Sequence, residues 1–128
     1  MSSVIGSRTL RLEDEPLLRG TGRFVDDIHL ADAIHVSFLR SPHPHALIRS
    51  IDKEAALAVA GVHAVLTLDD IAKVMVHRRM VRHSNSGFPL EKAWAFALAN
   101  GEVSYVGEPV AMVIADSRYI GEDAAALI

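Results

Sequence analysis

Val103-Ser104-Tyr105-Val106-Gly107-Glu108-Pro109-Val110-Ala111-Met112-Val113-Ile114-Ala115 is the stretch on which the fold class turns. Val110–Ala115 carries no polar side chain, so it reads as a strand buried on both faces. Val103–Val106 reads as a shorter strand. Gly107-Glu108-Pro109 is the turn between them: Gly107 permits unusual backbone angles and Pro109 sets the entrance to the strand. Beyond Ala115, a helix capped by Asp116 or Ser117 is expected to run to Ile128, with no glycine or asparagine to close it. A helix still running at the last residue suits a natural end, and equally a piece of a larger chain.

Upstream, Ile34–Arg40 alternates, which predicts a half-buried strand with Ile34, Val36 and Phe38 on its apolar face. Ser41-Pro42-His43-Pro44 forbids helix and forces an extended or turning path. His45–Ile51 alternates again and reads as a second strand. Asp52 is a good helix cap and Gly61 a good stop, so Lys53–Ala60 is expected to be helical. Val62–Leu66 reads as a third strand. Thr67-Leu68-Asp69-Asp70 resembles a capping box and predicts a short helix through Ile71 and Lys73. Val74–Asn100 resists reading; it holds a basic cluster, a Ser84-Asn85-Ser86-Gly87 loop and an apolar patch around Trp94 and Phe96. Residues 1–30 lack periodicity, are punctuated by Gly20-Thr21-Gly22, and are expected to run extended over a larger body. The expectation is an α+β domain over 31–128: a mixed sheet with two main helices, in the order β-β-α-β-β-β-α.

Composition narrows the function. At 128 residues the chain fits one core, and 50% hydrophobic with 23% charged residues is the profile of a globular domain. A net charge of −3 gives no drive toward nucleic acid or anionic membrane. The longest apolar run, Ala93–Ala99, falls far below the about 18 residues of a membrane span. There is no cysteine, hence no disulfide framework, thiolate zinc site, cysteine-ligated cluster or cysteine nucleophile. No signal peptide is read at the N-terminus, and a cytoplasmic location is expected.

Several groups of residues could carry chemistry. His35, His43 and His45, with His29 nearby, could ligate zinc or another transition metal. Surface or interface histidines explain them better, because His35 is expected to point away from the apolar face and prolines separate the others. Asp26-Asp27 and Asp69-Asp70 could act as carboxylate dyads. Strand neighbours diverge, however, and Asp69-Asp70 suits a helix start better. Lys73, His77, Arg78, Arg79, Arg82 and His83 could contact phosphate, but lack aromatic residues for stacking. Trp94, Phe96 and Leu98 read as core or interface. No residue is assigned as catalytic, cofactor-binding or metal-binding.

The linear pattern goes further. Leu18, Gly20, Gly22, Phe24, Asp26, Asp27 and Ile28 reproduce a Leu-x-Gly-x-Gly, aromatic, acidic pair, Ile opening. Arg40-Ser41-Pro42-His43-Pro44-His45-Ala46 is similar to an Arg-Ser-Pro-x-x-His-Ala loop, and Gly61–Thr67 with Asp70 to a Gly-Val-x-x-Val-x-Thr…Asp block. Val103–Ala111 is similar to Val-x-Tyr-Val-Gly-Gln/Glu-Pro-Val-Ala. Four such blocks in order over 11–127 resemble the molybdenum-binding large subunit of the xanthine dehydrogenase, aldehyde oxidase and carbon monoxide dehydrogenase family. Val74–Leu90 does not match.

The resemblance implies an N-terminal α/β-hammerhead domain, with Gly20, Gly22, Asp26, Asp27, Ser41, Pro42, His45, Gly61, Gly107, Glu108 and Pro109 as structural or interface positions. It implies a parent enzyme that hydroxylates aldehydes or N-heterocycles, or oxidises carbon monoxide, with water as oxygen source. Molybdopterin would sit in later domains, and iron–sulfur clusters and FAD on partner domains or subunits. The short stretch before the hammerhead suits the type in which these parts are separate polypeptides. The implied partners are the remaining molybdenum-binding domains and the iron–sulfur and flavin subunits. By itself the domain is expected to do no chemistry. A free-standing interaction module, or a small histidine-metal protein, are the rival expectations.

Overall fold

In the computed structural model, which describes residues 5, 6, 8, 10–80 and 95–128, the apolar run becomes the central strand β5, Pro109–Ala115. It lies between β1 (His35–Arg40) and β3 (Val62–Leu66), antiparallel to both. A second small sheet joins β2 (Ala46–Leu47) to β4 (Glu102–Val103), also antiparallel. The α+β class therefore stands. The expected mixed sheet is instead two sheets, antiparallel in every described pairing, because β5 enters between its neighbours running against each.

The helices are α2 (Glu54–Leu57), α3 (Leu68–Ile71) and α4 (Arg118–Ala125). The Asp52 carboxylate accepts from the Glu54 N–H at 3.0 Å, as a capping residue should. The helix expected through Ala60 stops at Leu57, because the chain tightens: the N–H of Val59 reaches the Ala56 carbonyl, and that of Val62 the Val59 carbonyl. Gly61 follows at φ +86°, the left-handed angle expected of a stop there. Ser117 caps α4 by accepting from the Ile120 N–H at 3.3 Å. The helix expected to run to Ile128 closes at Ala125.

Two apolar clusters hold this unit. Ala56, Val65, Val113, Ala124 and Ala125 form one, between the sheet and its helices, with Val59, Val62 and Ile128 against it. Ala99, Val103 and Val110 form the other, with Leu39, Ala46, Ile48 and Ile51 around them. The buried face of β1 is the opposite of the expected one: Ser37 is buried, whereas Ile34, Val36 and Phe38 are exposed. The cause is a close contact. A Cβ on Gly121 of α4 would stand 2.6 Å from Ser37 Oγ, so the helix seats where both residues are small. Alternation distinguishes the two faces of a strand but does not say which one a helix takes.

Two expected strands shorten. β2 pairs over Ala46–Leu47 only, because its partner β4 is equally short; Ile48 and Ile51 pack into the second cluster outside the ladder. β4 ends before Ser104, whose N–H is taken by the Glu108 carboxylate, and Tyr105 and Val106 are exposed. The short helix after Thr67 likewise ends at Ile71, before Lys73.

The chain divides at Ala33 into two units, and the fold above belongs to Ile34–Ile128. Within Met1–Ala33 the path is not simply extended. α1 (Asp14–Leu18) and a single 3-10 turn (Val25–Asp27) shape it. Thr21 and Gly22 return their N–H groups to the Pro16 carbonyl at 2.9 and 3.1 Å, with Gly20 at φ +68°. No described residue of this unit is buried.

Candidate functional site

Two of the family-like blocks, at Arg40–His45 and Val103–Pro109, meet side by side. β1 shifts register between Leu39 and Arg40, which sets Arg40 opposite Pro109. Past that bulge the pairing continues as a reciprocal clasp: the Ser41 N–H donates to the Glu108 carbonyl at 2.9 Å, and the Gly107 N–H to the Ser41 carbonyl at 2.8 Å. Arg40 Nη1 donates to the Gly107 carbonyl at 2.9 Å, and its guanidinium lies 5.5 Å from the Phe38 ring centre.

Each partner of the clasp is stiffened locally. Ser41, which is buried, accepts from the His43 N–H and donates to the His43 carbonyl, both at 3.0 Å; this closes the turn that Pro42 and Pro44 enforce. Gly107 sits at φ +88°, where an L side chain is strained. Glu108 is buried, and its carboxylate accepts the Ser104 N–H while its own N–H reaches the Tyr105 carbonyl. The Pro109 carbonyl accepts from Ala99 at 2.8 Å. His45 Nε2 lies 3.4 Å from Glu102 Oε2 in the adjoining small sheet. The chemistry of the clasp is therefore spent on itself: among the described residues no buried side-chain polar atom lacks a partner.

A second junction was not foreseen. His63 stands 2.7 Å from Asp116, and the Asp116 N–H donates to the Gly61 carbonyl at 2.9 Å. A Cβ on Gly61 would lie 2.9 Å from Ile120 Cδ1 and 3.0 Å from Asp116 Oδ2. Only the β3–β5 register, Val62 opposite Ala115, brings these distant residues together, and no local pattern announces it.

Asp70 does more than the expected cap. Its carboxylate accepts from the Thr67 N–H and hydroxyl at 2.9 Å each and pairs with Lys53 Nζ at 2.7 Å, which ties α3 to the residue before α2. The Lys53 hydrogen bond, then the Thr67 bonds, hold this carboxyl well below the usual carboxylate range.

The other candidates separate. Asp26 and Asp27 lie on the 3-10 turn and not on a strand; Asp27 accepts the Phe24 N–H at 2.9 Å and is a local cap. Asp69 pairs with exposed Arg78 at 3.1 Å. Among the described residues no three histidines or acids gather as metal ligands. Arg79 stacks on Phe96 at 4.1 Å, and Leu98 is buried; Arg82, His83, the Ser84–Gly87 loop and Trp94 lie outside the described residues. Among the described residues no helix is long and apolar enough to cross a membrane.

Residues 19–128 match the family model "Aldehyde oxidase and xanthine dehydrogenase, a/b hammerhead domain". The nicotine 6-hydroxylase large subunit of Paenarthrobacter nicotinovorans is 40% identical over 98% of this chain, which covers 15% of that subunit. The carbon monoxide dehydrogenase large chain of Hydrogenophaga pseudoflava is 38% identical over 91% of this chain and 14% of its own length. The crystal structure of quinoline 2-oxidoreductase from Pseudomonas putida 86 superposes with a TM-score of 0.78 at 42% identity, over 99% of this chain and 16% of that one. The chain thus spans about a sixth or less of these relatives. It belongs to the aldehyde oxidase and xanthine dehydrogenase family, as an α/β-hammerhead domain.

Proposed function

We propose that this chain is the N-terminal hammerhead domain of the large subunit of a molybdenum-dependent hydroxylase, and that it serves assembly and not chemistry. One observation carries the reading: a match to the hammerhead model over 19–128, in a chain that covers only 14–16% of oxidoreductase large subunits. The parent enzyme would oxidatively hydroxylate an aldehyde or N-heterocycle, or oxidise carbon monoxide, with water supplying the oxygen.

Molybdopterin, iron–sulfur clusters and FAD would belong to later domains or partner subunits. The described residues here do not fit such groups: the chain has no cysteine, and the buried polar side chains of the clasp are already paired. What these residues do is hold shape. The clasp at Ser41 and Gly107–Glu108 fixes one end of the central strand, and Lys53–Asp70 fixes the helices beside it.

Residues 8–30 are the proposed contact with a partner subunit, the iron–sulfur one by preference. Leu10, Leu12, Leu18, Phe24, Ile28 and Leu30 are all exposed there, apolar surface that a partner subunit would cover. The test has two arms. A blot or intact mass should show a native polypeptide several times longer than this chain; a native protein of this size with partners but no molybdenum would establish an interaction module instead. Removing residues 1–30 from the full subunit should weaken complex formation in gel filtration, and an unchanged elution profile would refute the assembly role. Elemental analysis of the 128-residue chain is expected to find no stoichiometric metal; a bound equivalent would favour the histidine-metal reading.

A further inference from the structure

The chain contains two side-chain amides, Asn85 and Asn100, and no glutamine. Asn85 precedes Ser86 and lies outside the described residues; Asn100 precedes Gly101. The Asn100–Gly101 pair sits on the connection between buried Ala99 and β4, and both of its residues are exposed. Gly101 stands at φ +76°, and a Cβ built on it would meet nothing within 4 Å. Its carbonyl accepts from the Ile48 N–H at 2.9 Å, whereas no hydrogen bond among the described residues uses its own N–H. The backbone nitrogen beside the Asn100 side chain is thus unshielded by a side chain of its own residue, by packing or by an acceptor.

We propose that Asn100 is a site of spontaneous covalent modification in the folded protein: a deamidation through a five-membered imide that leaves isoaspartate in the main chain. The Gly101 nitrogen attacks Asn100 Cγ and closes the ring. The bond from Cγ to the side-chain nitrogen breaks, and that nitrogen leaves as ammonia with the proton of the Gly101 N–H. Water then opens the ring at one of its two carbonyls. Opening at Cγ restores the ordinary peptide bond and leaves aspartate; opening at the Asn100 backbone carbonyl leaves the chain running through Cβ and Cγ. The sequence of steps consumes one water and needs no oxidant, reductant or cofactor. The consequence is local. Isoaspartate adds one C–C bond, roughly 1.5 Å, to the backbone. That bond enters between two fixed points: the Ala99 N–H donates to the Pro109 carbonyl at 2.8 Å, and the Gly101 carbonyl accepts from Ile48. Ala99 and Val103, on either side, are buried in the second cluster and do not give way. The exposed end yields instead, and the Ile48 bond opens. The inference is independent of the large-subunit reading above.

Storage of the folded 128-residue chain at mildly alkaline pH, followed by peptide mapping, should show Asn100 converted to a mixture in which isoaspartate exceeds aspartate. An Asn100 that stays intact in the folded chain while the urea-unfolded chain loses its amide would overturn the proposal, because the fold would then protect the site. Gly101→Ala puts a methyl group beside the attacking nitrogen and should slow the loss about tenfold; an unchanged rate would refute attack by that nitrogen. Because Gly101→Ala also strains a left-handed angle, a second variant reads the consequence without it. Freshly prepared Asn100→Asp should keep the melting temperature and the Ile48 amide exchange of the wild type. The isoaspartyl form, separated by chromatography, should melt lower and exchange the Ile48 amide about tenfold faster. Equal melting and exchange in all three forms would refute the break at Ile48.

Discussion

The two units of the chain use similar residues to opposite ends. Ile34–Ile128 places valines, leucines and alanines at period two or on one side of a helix, and buries them in two clusters. Met1–Ala33 is richer in leucine, yet has no period; none of its described residues is buried, and it keeps its shape through turns such as the return of Thr21 and Gly22 to Pro16. Apolar content alone does not make a core. The spacing that puts apolar groups on one side does.

The sharpest way to break this contrast is to put one charge in each unit. Val113→Asp, at a position with no exposure, should cost about 4 kcal/mol or more and abolish the cooperative thermal transition. Leu18→Asp, at 88% exposure, should stay within about 0.5 kcal/mol by circular dichroism melting. If both variants melt alike, the contrast is wrong.

A second contrast tests backbone and packing. Gly121→Ala would gain about 1 kcal/mol in an open helix. Here its Cβ would stand 2.6 Å from Ser37 Oγ and 3.1 Å from Ser37 Cβ, so a loss of about 1–3 kcal/mol is expected in urea unfolding. Gly107→Ala and Gly20→Ala each force a side chain into the left-handed region, with φ at +88° and +68°, at about 1–2 kcal/mol of local strain. Only the first should lower global stability, because Gly20 lies in the unit without a core.

Asp70 adds a pH arm. Its folded pKa is lowered by Lys53 and Thr67, so its contribution is fully present above the unfolded carboxylate value of about 3.9. That contribution is lost as pH falls below it toward the lower folded value. Asp70→Asn should cost about 1 kcal/mol at pH 7, measured by urea titration. The difference should narrow as the wild type is acidified through that window; a gap that widened in acid would refute the assignment. The smallest effect belongs to the N-terminal unit, where Arg19→Ala breaks a 2.7 Å pair with Glu15. Both partners are 72% exposed, and less than about 0.5 kcal/mol should be lost.

Much of the fold was legible because its signals are local. The VAMVIA run, the Thr67–Asp70 box and the Ser117 cap all act within a few residues, and each stands where it was expected; Asp52 and Gly61 flank their helix as expected, though it begins at Glu54 and ends at Leu57, short of Gly61. The errors came from long-range facts. Which face of β1 is buried depends on Gly121, far along the chain, and the length of β2 depends on where β4 ends. The clasp shows the same limit. Ser41, Gly107 and Glu108 were singled out by resemblance, and Pro109 by its place at a strand entrance. That Ser41 holds Gly107 and Glu108 directly is a fact of register, as is the His63–Asp116 pair.

The position of β5 bears on how the molecule is made. It is the central strand, yet of the described strands it is synthesised last, and its register joins His35 to Ala115. As the nascent chain emerges, β1 and β3 have no route to each other except through a strand not yet translated. Both wait with unpaired backbone edges, the condition in which strands pair with the wrong chain. Folding rate should accordingly be set by this late insertion, as in other topologies dominated by distant pairings.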